Sequence, residues 1–172
     1  FVVGYTSTSM CGKCSGLRLI FLPVSTNNKI DVMETDAHQK EISVAFINDI
    51  SPVLDEICKS LATSGIKIVF RSEHIKDGLF QLSALKTLPK VCVIDLDFYS
   101  KEIIQQLIEI KTQYPSIKLI AHSDIDDQKV GKDLFVIGFS SYLFVGSDVD
   151  DFRKVIKVVI NGGRYFSMEV AE

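Results

Sequence analysis

The chain is predicted to fold as an α/β domain with a five-stranded, doubly wound parallel sheet and helices on both faces, a three-layer αβα arrangement. Three observations carry this expectation. From Ile42 onward, five short apolar runs alternate with segments of helical periodicity. The runs are rich in Val, Ile and Phe and nearly continuous, as strands buried on both faces are. Strands that alternate with helices connect through right-handed crossovers, which gives the wound sheet as the expected topology.

The strand runs are ISVAFI (42–47), IKIVF (66–70), VCVID (91–95), IKLIA (117–121) and SYLFV (141–145). Between the first two, Ser51-Pro52 reads as an N-cap followed by Pro at the first helical position, and Val53, Leu54, Ile57, Cys58 and Leu61 follow at helical spacing. Gly65 stands where a left-handed residue ends that helix. Residues 75–87 carry Ile75, Leu79, Leu82 and Leu85. Ser100 caps a helix over 101–112, with Glu102 in the first turn and Ile103, Ile104, Leu107, Ile108 and Ile110 as its apolar stripe. A short helix is predicted over 126–134. The last, over 148–161, turns Val149, Phe152, Val155, Ile156 and Val159 inward and stops at Gly162-Gly163.

The chain has 172 residues, 47% of them hydrophobic and 24% charged, the composition of a packed globular protein. A formal net charge of −3 gives no general attraction for nucleic acid or anionic membrane. No apolar run reaches the roughly 18 residues that a spanning helix needs. Four Cys without a dense framework point to a reducing, cytoplasmic compartment.

Residues 1–41 read differently. They mix Gly, Ser, Thr and Cys, with one short apolar run ended by Pro23, and do not order themselves as a signal peptide. They are expected to be an N-terminal extension, in part foreign to the domain or without order of its own, with the native domain beginning near Met33. Cys11-Gly-Lys-Cys14 is a C-x-x-C pair, but no second pair completes a four-ligand zinc site, so two unpaired thiols are expected. The domain is assigned to 42–167. Residues 168–172 are read as the start of a linker to an output domain absent from this chain.

In a wound sheet the chemistry lies at the carboxyl ends of the strands. The first strand ends in Asn48-Asp49, the third in Asp95-Leu96-Asp97, the fourth in His122-Ser123 and the fifth in Val145-Gly146. The first and third strands are expected to be neighbours, so Asp49 and Asp95 should converge. Converging carboxylates repel unless a cation or proton intervenes, and hard oxygen donors suit Mg²⁺. A carboxylate beside Mg²⁺ can accept a phosphoryl group. His122 is expected at the surface, His38 and His74 have no ligand partners in the sequence, and Asp124 to Asp127 is expected to be a solvated helix start. The apolar stretch 134–145 is expected to be exposed enough for self-association.

On ISVAFINDISPVLDEI, VCVIDLD, YPSIKLIAHSD, GFSSYLFVGSD and DDFRKVIKVVINGGRYFS, the chain over 42–167 resembles the CheY-like receiver domains of two-component response regulators, with a flavodoxin-like fold. It is most similar to receivers of LuxR/FixJ-type transcription regulators. The resemblance implies that Asp95 is the phosphoacceptor, that Asn48 and Asp49 occupy the acidic pair holding Mg²⁺, and that Asp97 lends the metal its backbone carbonyl. Ser123 falls at the switch hydroxyl and Tyr142 at the switch aromatic. It further implies a homodimer, paired through the face made by the fourth helix, fifth strand and fifth helix, or through the first and fifth helices. A sensor histidine kinase is the implied upstream partner. DNA would be reached through an absent helix-turn-helix domain, not by this chain.

The sequence departs from that pattern at defined places. Val145 stands where the family has its Lys, Gly146 where it has Pro, Asn48 at the first acidic position, and Phe98-Tyr99-Ser100-Lys101 in place of the Met-Pro-x-x-x-Gly loop. Without the Lys, Asp95 loses a charge-assisted partner, an interaction worth about 1.5–3 kcal/mol. The reading is therefore an atypical receiver, not an enzyme, that regulates a partner or output through dimerisation. The orthodox phospho-accepting receiver is one alternative. A haloacid-dehalogenase-like phosphatase is the other, because VCVIDLDF also resembles that family's Asp-x-Asp motif, with Ser123 as its second-motif hydroxyl; the Gly-Thr expected after the Asp pair is missing.

Overall fold

A computed structural model describes residues 41–49, 51–97 and 99–167. The expectations for the Cys11–Cys14 pair, Met33, His38 and residues 168–172 lie outside the described residues, as does Phe98.

The first strand, β1 (Ser43–Ile47), is followed by α1 (Pro52–Thr63), β2 (Lys67–Ser72), α2 (Ile75–Ala84) and β3 (Val91–Asp95). Then come α3 (Lys101–Gln113), β4 (Lys118–Ser123), α4 (Gln128–Ile137), β5 (Ser141–Phe144), α5 (Val149–Ile160) and β6 (Tyr165–Phe166). All neighbouring strands pair parallel, in the order β2-β1-β3-β4-β5-β6. The wound α/β sheet is the architecture expected, with one correction: it has six strands, not five. Tyr165 and Phe166 pair with Ser141 and Tyr142, and both the amide and the hydroxyl of Ser167 donate to the Tyr142 carbonyl. A two-residue strand has no periodicity to read, so the sequence marks only the helix stop at Gly162-Gly163 and not the strand after it.

Local signals set most boundaries. The Ser51 hydroxyl accepts from the Val53 amide, and Gly65 adopts φ +85° just past the end of α1. The Ser100 hydroxyl accepts from the Ile103 amide and opens α3. The fourth helix is displaced from 126–134: the Asp127 carboxylate caps it through the Lys129 amide, and it runs on until Gly138 turns left-handed. Asp148 and Asp151 cap α5 reciprocally, a capping box.

Side-chain alternation sorts the strands into two cores, one on each face. Val44, Phe46, Val91, Val93, Ile120 and Leu143 pack with Leu54, Ile57 and Leu61 of α1 and with Phe152, Val155, Ile156 and Val159 of α5. Ala45, Ile47, Cys92, Ile94, Leu119, Ala121 and Tyr142 pack with residues of α2, α3 and α4, Leu82, Leu107, Ile110 and Leu134 among them. Burying a side chain of this size stabilises by about 1.5–3 kcal/mol, so these two layers hold the sheet's strand ends in place. The stretch 134–145 is mostly part of this interior: Leu134, Phe139, Tyr142 and Leu143 are buried, and only Val136 and Val145 among its large hydrophobic residues are strongly exposed. The reason is that β5 is an inner strand, covered on its outer edge by β6. No helix among the described residues is long and apolar enough to cross a membrane.

Candidate functional site

The carboxyl ends of β1, β3 and β4 bring the chemistry together. β1 and β3 are adjacent and in parallel register, with Ile47 beside Ile94. At the end of β1, Asn48 adopts φ +58°, a left-handed conformation that Asn tolerates better than most residues. Its side-chain amide donates to the Asp95 backbone carbonyl over 2.8 Å, tying the two strand ends.

Asp95 is buried, 6% exposed, and pairs in register with His122 on β4. Alternation puts Asp95 on the same face as Val91 and Val93, and His122 on the face of Ile120, which is the α1/α5 side for both. There the Asp95 Oδ1 lies 3.0 Å from the His122 Nδ1. Where the carboxylate is the acceptor, the proton of this bond belongs to Nδ1. The His122 ring also rests on Phe152 of α5, with centroids 5.4 Å apart. His122 is thus 4% exposed, which corrects its expected surface position. Its parity with Ile120 is what turns the ring inward, onto the α1/α5 face.

Asp49 is held differently. Its amide donates to the Ser72 carbonyl, and its Oδ2 accepts from the Arg71 Nε at 2.5 Å. The same guanidinium donates through Nη1 to Asp55 of α1. Asp55 is accordingly held below its usual carboxylate range, first by that hydrogen bond and then by the positive charge, while Arg71 is raised further above its already high value. Arg71 was not among the sequence candidates. The available signal was a charged residue at the end of an otherwise apolar strand run, beside the end of β1.

A cleft of about 310 Å³ opens at this edge, lined by Ser51, Val53, Asp95, Leu96, Asp97, His122, Asp124, Val145 and Gly146. It contains three carboxylates and no Lys or Arg. Asp97 is exposed, but partial desolvation at the cleft raises it above the usual carboxylate range, and the charges of Asp95 and Asp124 add to that, against a lowering bond from Asn48. Val145 is 57% exposed at the cleft rim.

Ser123 and Tyr142 lie on the opposite face, with the α2–α4 core. The Ser123 hydroxyl donates to the Leu96 carbonyl at 2.6 Å and accepts from the Ile125 amide, so it shapes the β4–α4 turn and does not cap α4. The Tyr142 hydroxyl donates to the Ile125 carbonyl at 2.6 Å. Its ring is fully buried, and that burial raises its phenol above the usual range. The two residues together clamp Ile125.

No family model matches the chain. Among curated proteins it is 24% identical over 132 residues to the response regulator GacA of Pseudomonas protegens, a match covering 76% of this chain and 61% of GacA. The chain thus spans less than two thirds of that relative's length. The fold superimposes on the non-phosphorylated receiver domain of the stress response regulator RcsB from Escherichia coli with a TM-score of 0.65 at 18% identity, covering 74% of this chain and 99% of that one. It superimposes similarly on RcsB dimers bound to DNA, with a TM-score of 0.64 at 19% identity over 76% of this chain and 66% of that one. The chain has the fold of a CheY-like receiver domain.

In this domain, the donor set expected for Mg²⁺ does not fit a divalent ion. Asp49 is committed to Arg71 and does not line the cleft of Asp95, and Asp95 is committed to His122. Asn48 turns its amide donor, not an oxygen, toward the Asp95 carbonyl. Among the described residues no three His, Cys, Asp or Glu side chains are grouped to hold a metal. Asp49 and Asp95 are each paired with a side chain from a neighbouring strand, Arg71 and His122, instead of sharing an ion between them. Ser123 does not line the cleft of Asp95 either.

Proposed function

We propose that this chain is the receiver module of an atypical response regulator, whose state is set by self-association or a protein partner and not by orthodox phosphorylation of Asp95. The observation that carries the reading is the buried His122–Asp95 bond in a cleft whose rim holds Val145 where the family places its Lys. His122 gives Asp95 a partner from the neighbouring strand and, through Phe152, seats the pair against α5. α5 is one wall of an apolar groove of about 590 Å³ that it forms with α1, lined by Pro52, Val53, Ile57 and Val149 among others. Homodimerisation is proposed there, with Val53, 62% exposed, among the lining residues. RcsB, to which the fold is similar, has been captured as DNA-bound dimers. Contact with DNA by a regulator of this kind is assigned to a further domain, because this chain has no basic stripe to follow a phosphate backbone. No catalytic turnover is assigned to it.

The orthodox reading keeps one observation in its favour: Asp95 lines an open cleft at the strand edge. It would need Mg²⁺ among Asn48, Asp49, Asp95 and the Asp97 carbonyl, and Asp49 would first have to leave Arg71. A histidine kinase would then be the phosphoryl source. The phosphatase reading requires a Lys and a hydroxyl at the Asp95–Asp97 pair, and the cleft has no Lys and excludes Ser123. An aryl phosphate assay is expected to show no hydrolysis.

The deciding experiment treats the protein with phosphoramidate and Mg²⁺ and follows intact mass and light scattering together. The reading predicts no phosphoryl adduct and a dimer before and after treatment. An adduct on the wild type that Asp95→Asn removes, with a change in oligomeric state, would establish the orthodox receiver instead.

A further inference from the structure

Resting on the receiver reading, we infer that Arg71 is a built-in countercharge that takes the place of a divalent cation at Asp49, so that this strand-end site is metal-independent as it stands and admits a cation when Arg71 is removed.

The register of the sheet sets up the contact. Phe46 pairs with Arg71 and Ile47 with Ser72, which brings the end of β2 level with the end of β1. The bond from the Asp49 amide to the Ser72 carbonyl, 2.9 Å, then holds Asp49 against β2 and not against β3. The Asp49 carboxylate is wholly removed from solvent, and a buried charge persists only when it is paired. The pairing comes from Arg71, whose side chain is 31% exposed and whose planar fork reaches Asp49 with Nε and Asp55 with Nη1. One guanidinium thereby bridges two strand ends and α1. A divalent ion placed on Asp49 would sit within a few ångströms of this fixed positive charge and would have to displace it.

The oxygens that Arg71 does not use tell the other half. The Asp49 Oδ1 and the Ser72 hydroxyl are both buried without a hydrogen-bond partner, and Asp49 and Ser72 are each 5% exposed. They border a cavity of about 360 Å³ whose wall also includes Asp55 and Glu73. Mg²⁺ and Mn²⁺ sites are commonly built from one or two carboxylates completed by water. Asp49, Asp55 and the Ser72 hydroxyl meet that requirement once the guanidinium is gone. Arg71 is therefore both the reason the present site takes no metal and the occupant of a latent one.

The test uses Mn²⁺ alone as the probe, followed by the loss of its free-ion electron paramagnetic signal on addition of the whole chain. The wild type is expected to leave the signal at Asp49 unaffected: any binding seen at millimolar Mn²⁺ persists in Asp49→Asn and so lies elsewhere. Arg71→Met is expected to gain Mn²⁺ affinity by roughly tenfold, the order of effect of removing one adjacent positive charge, and Asp49→Asn in that background is expected to erase the gain. Wild-type binding that Asp49→Asn abolishes overturns the inference, as does a folded Arg71→Met protein with no gain. Should Arg71→Met fail to fold, the wild-type comparison with Asp49→Asn decides alone. Failure here leaves the receiver reading intact, because that reading is decided by the Asp95 adduct and not by metal at Asp49.

Discussion

The His122 Nδ1 sits 3.0 Å from the Asp95 Oδ1, and the two side chains are only 5% and 8% exposed. They are register partners on β4 and β3, so the contact follows from the sheet itself and not from a mobile loop. This single bond changes what the strand edge can do. The residue expected to accept a phosphoryl group already has a buried donor, supplied by a ring that also packs on Phe152 of α5.

Removing that donor should be costly. His122→Ala leaves Asp95 buried without its partner and opens space beside Phe152, and breaking a buried pair from one side costs about 3–5 kcal/mol. Asp95→Asn keeps an oxygen that can accept from Nδ1 and should cost nearer 1 kcal/mol. Urea unfolding of both variants checks the order. Equal, small losses would mean that the pair contributes little.

Ser123 and Tyr142 should behave as one unit. Each is bonded to Ile125, one through its amide and the other through its carbonyl. Tyr142→Phe should cost about 1 kcal/mol, and Ser123→Ala about 1–3 kcal/mol because it also strands the Leu96 carbonyl. The double variant should fall short of the sum, since the two share one turn. Denaturant midpoints of the three variants measure the coupling.

Asp97 is predicted to be a destabilising residue at neutral pH. Its carboxyl is raised by partial desolvation and by the nearby charges of Asp95 and Asp124, and its exposure keeps the effect small and sensitive to salt. A carboxylate raised on folding weakens the fold wherever it is ionised, and the penalty disappears as pH falls through its folded value and below the ordinary 3.8. Asp97→Asn should therefore raise Tm at pH 7, with the gain vanishing in acid. A variant no more stable than the wild type at pH 7 contradicts this.

Asp55 has the opposite sign. The Arg71 hydrogen bond holds it below 3.8, so its contribution is present above that pH and is lost as pH drops through its lower folded value. Thermal unfolding across the acid range should show a shallower loss for Asp55→Asn than for the wild type. The exposure of Asp55 makes the effect modest and sensitive to salt.

The wound sheet was legible because Val-, Ile- and Phe-rich runs such as VCVID are unbroken, and all five residues of β3 are indeed buried. Ser51, Ser100 and Gly65 marked helix ends by local chemistry that needs no tertiary context. β6 was not legible, since two residues held by their neighbour carry no period. The positions of Asn48, Asp49, Asp95 and Ser123 at strand ends could be read, but their partners could not. Asp49 could reach toward β3 or β2, and the choice of β2 depends on the Ser72 carbonyl and Arg71, both distant in sequence. For His122 the parity with Ile120 was available in the sequence and names the face it shares with Asp95.

The most direct measurement is the side-chain nitrogen spectrum of His122 in the full chain. A proton on Nδ1, slow to exchange with solvent and lost or strongly shifted in a comparison of Asp95→Ala with the wild type, is the predicted result. A proton residing on Nε2 with Nδ1 bare, unchanged when Asp95 is removed, would show that the two residues do not hold each other and would contradict the account.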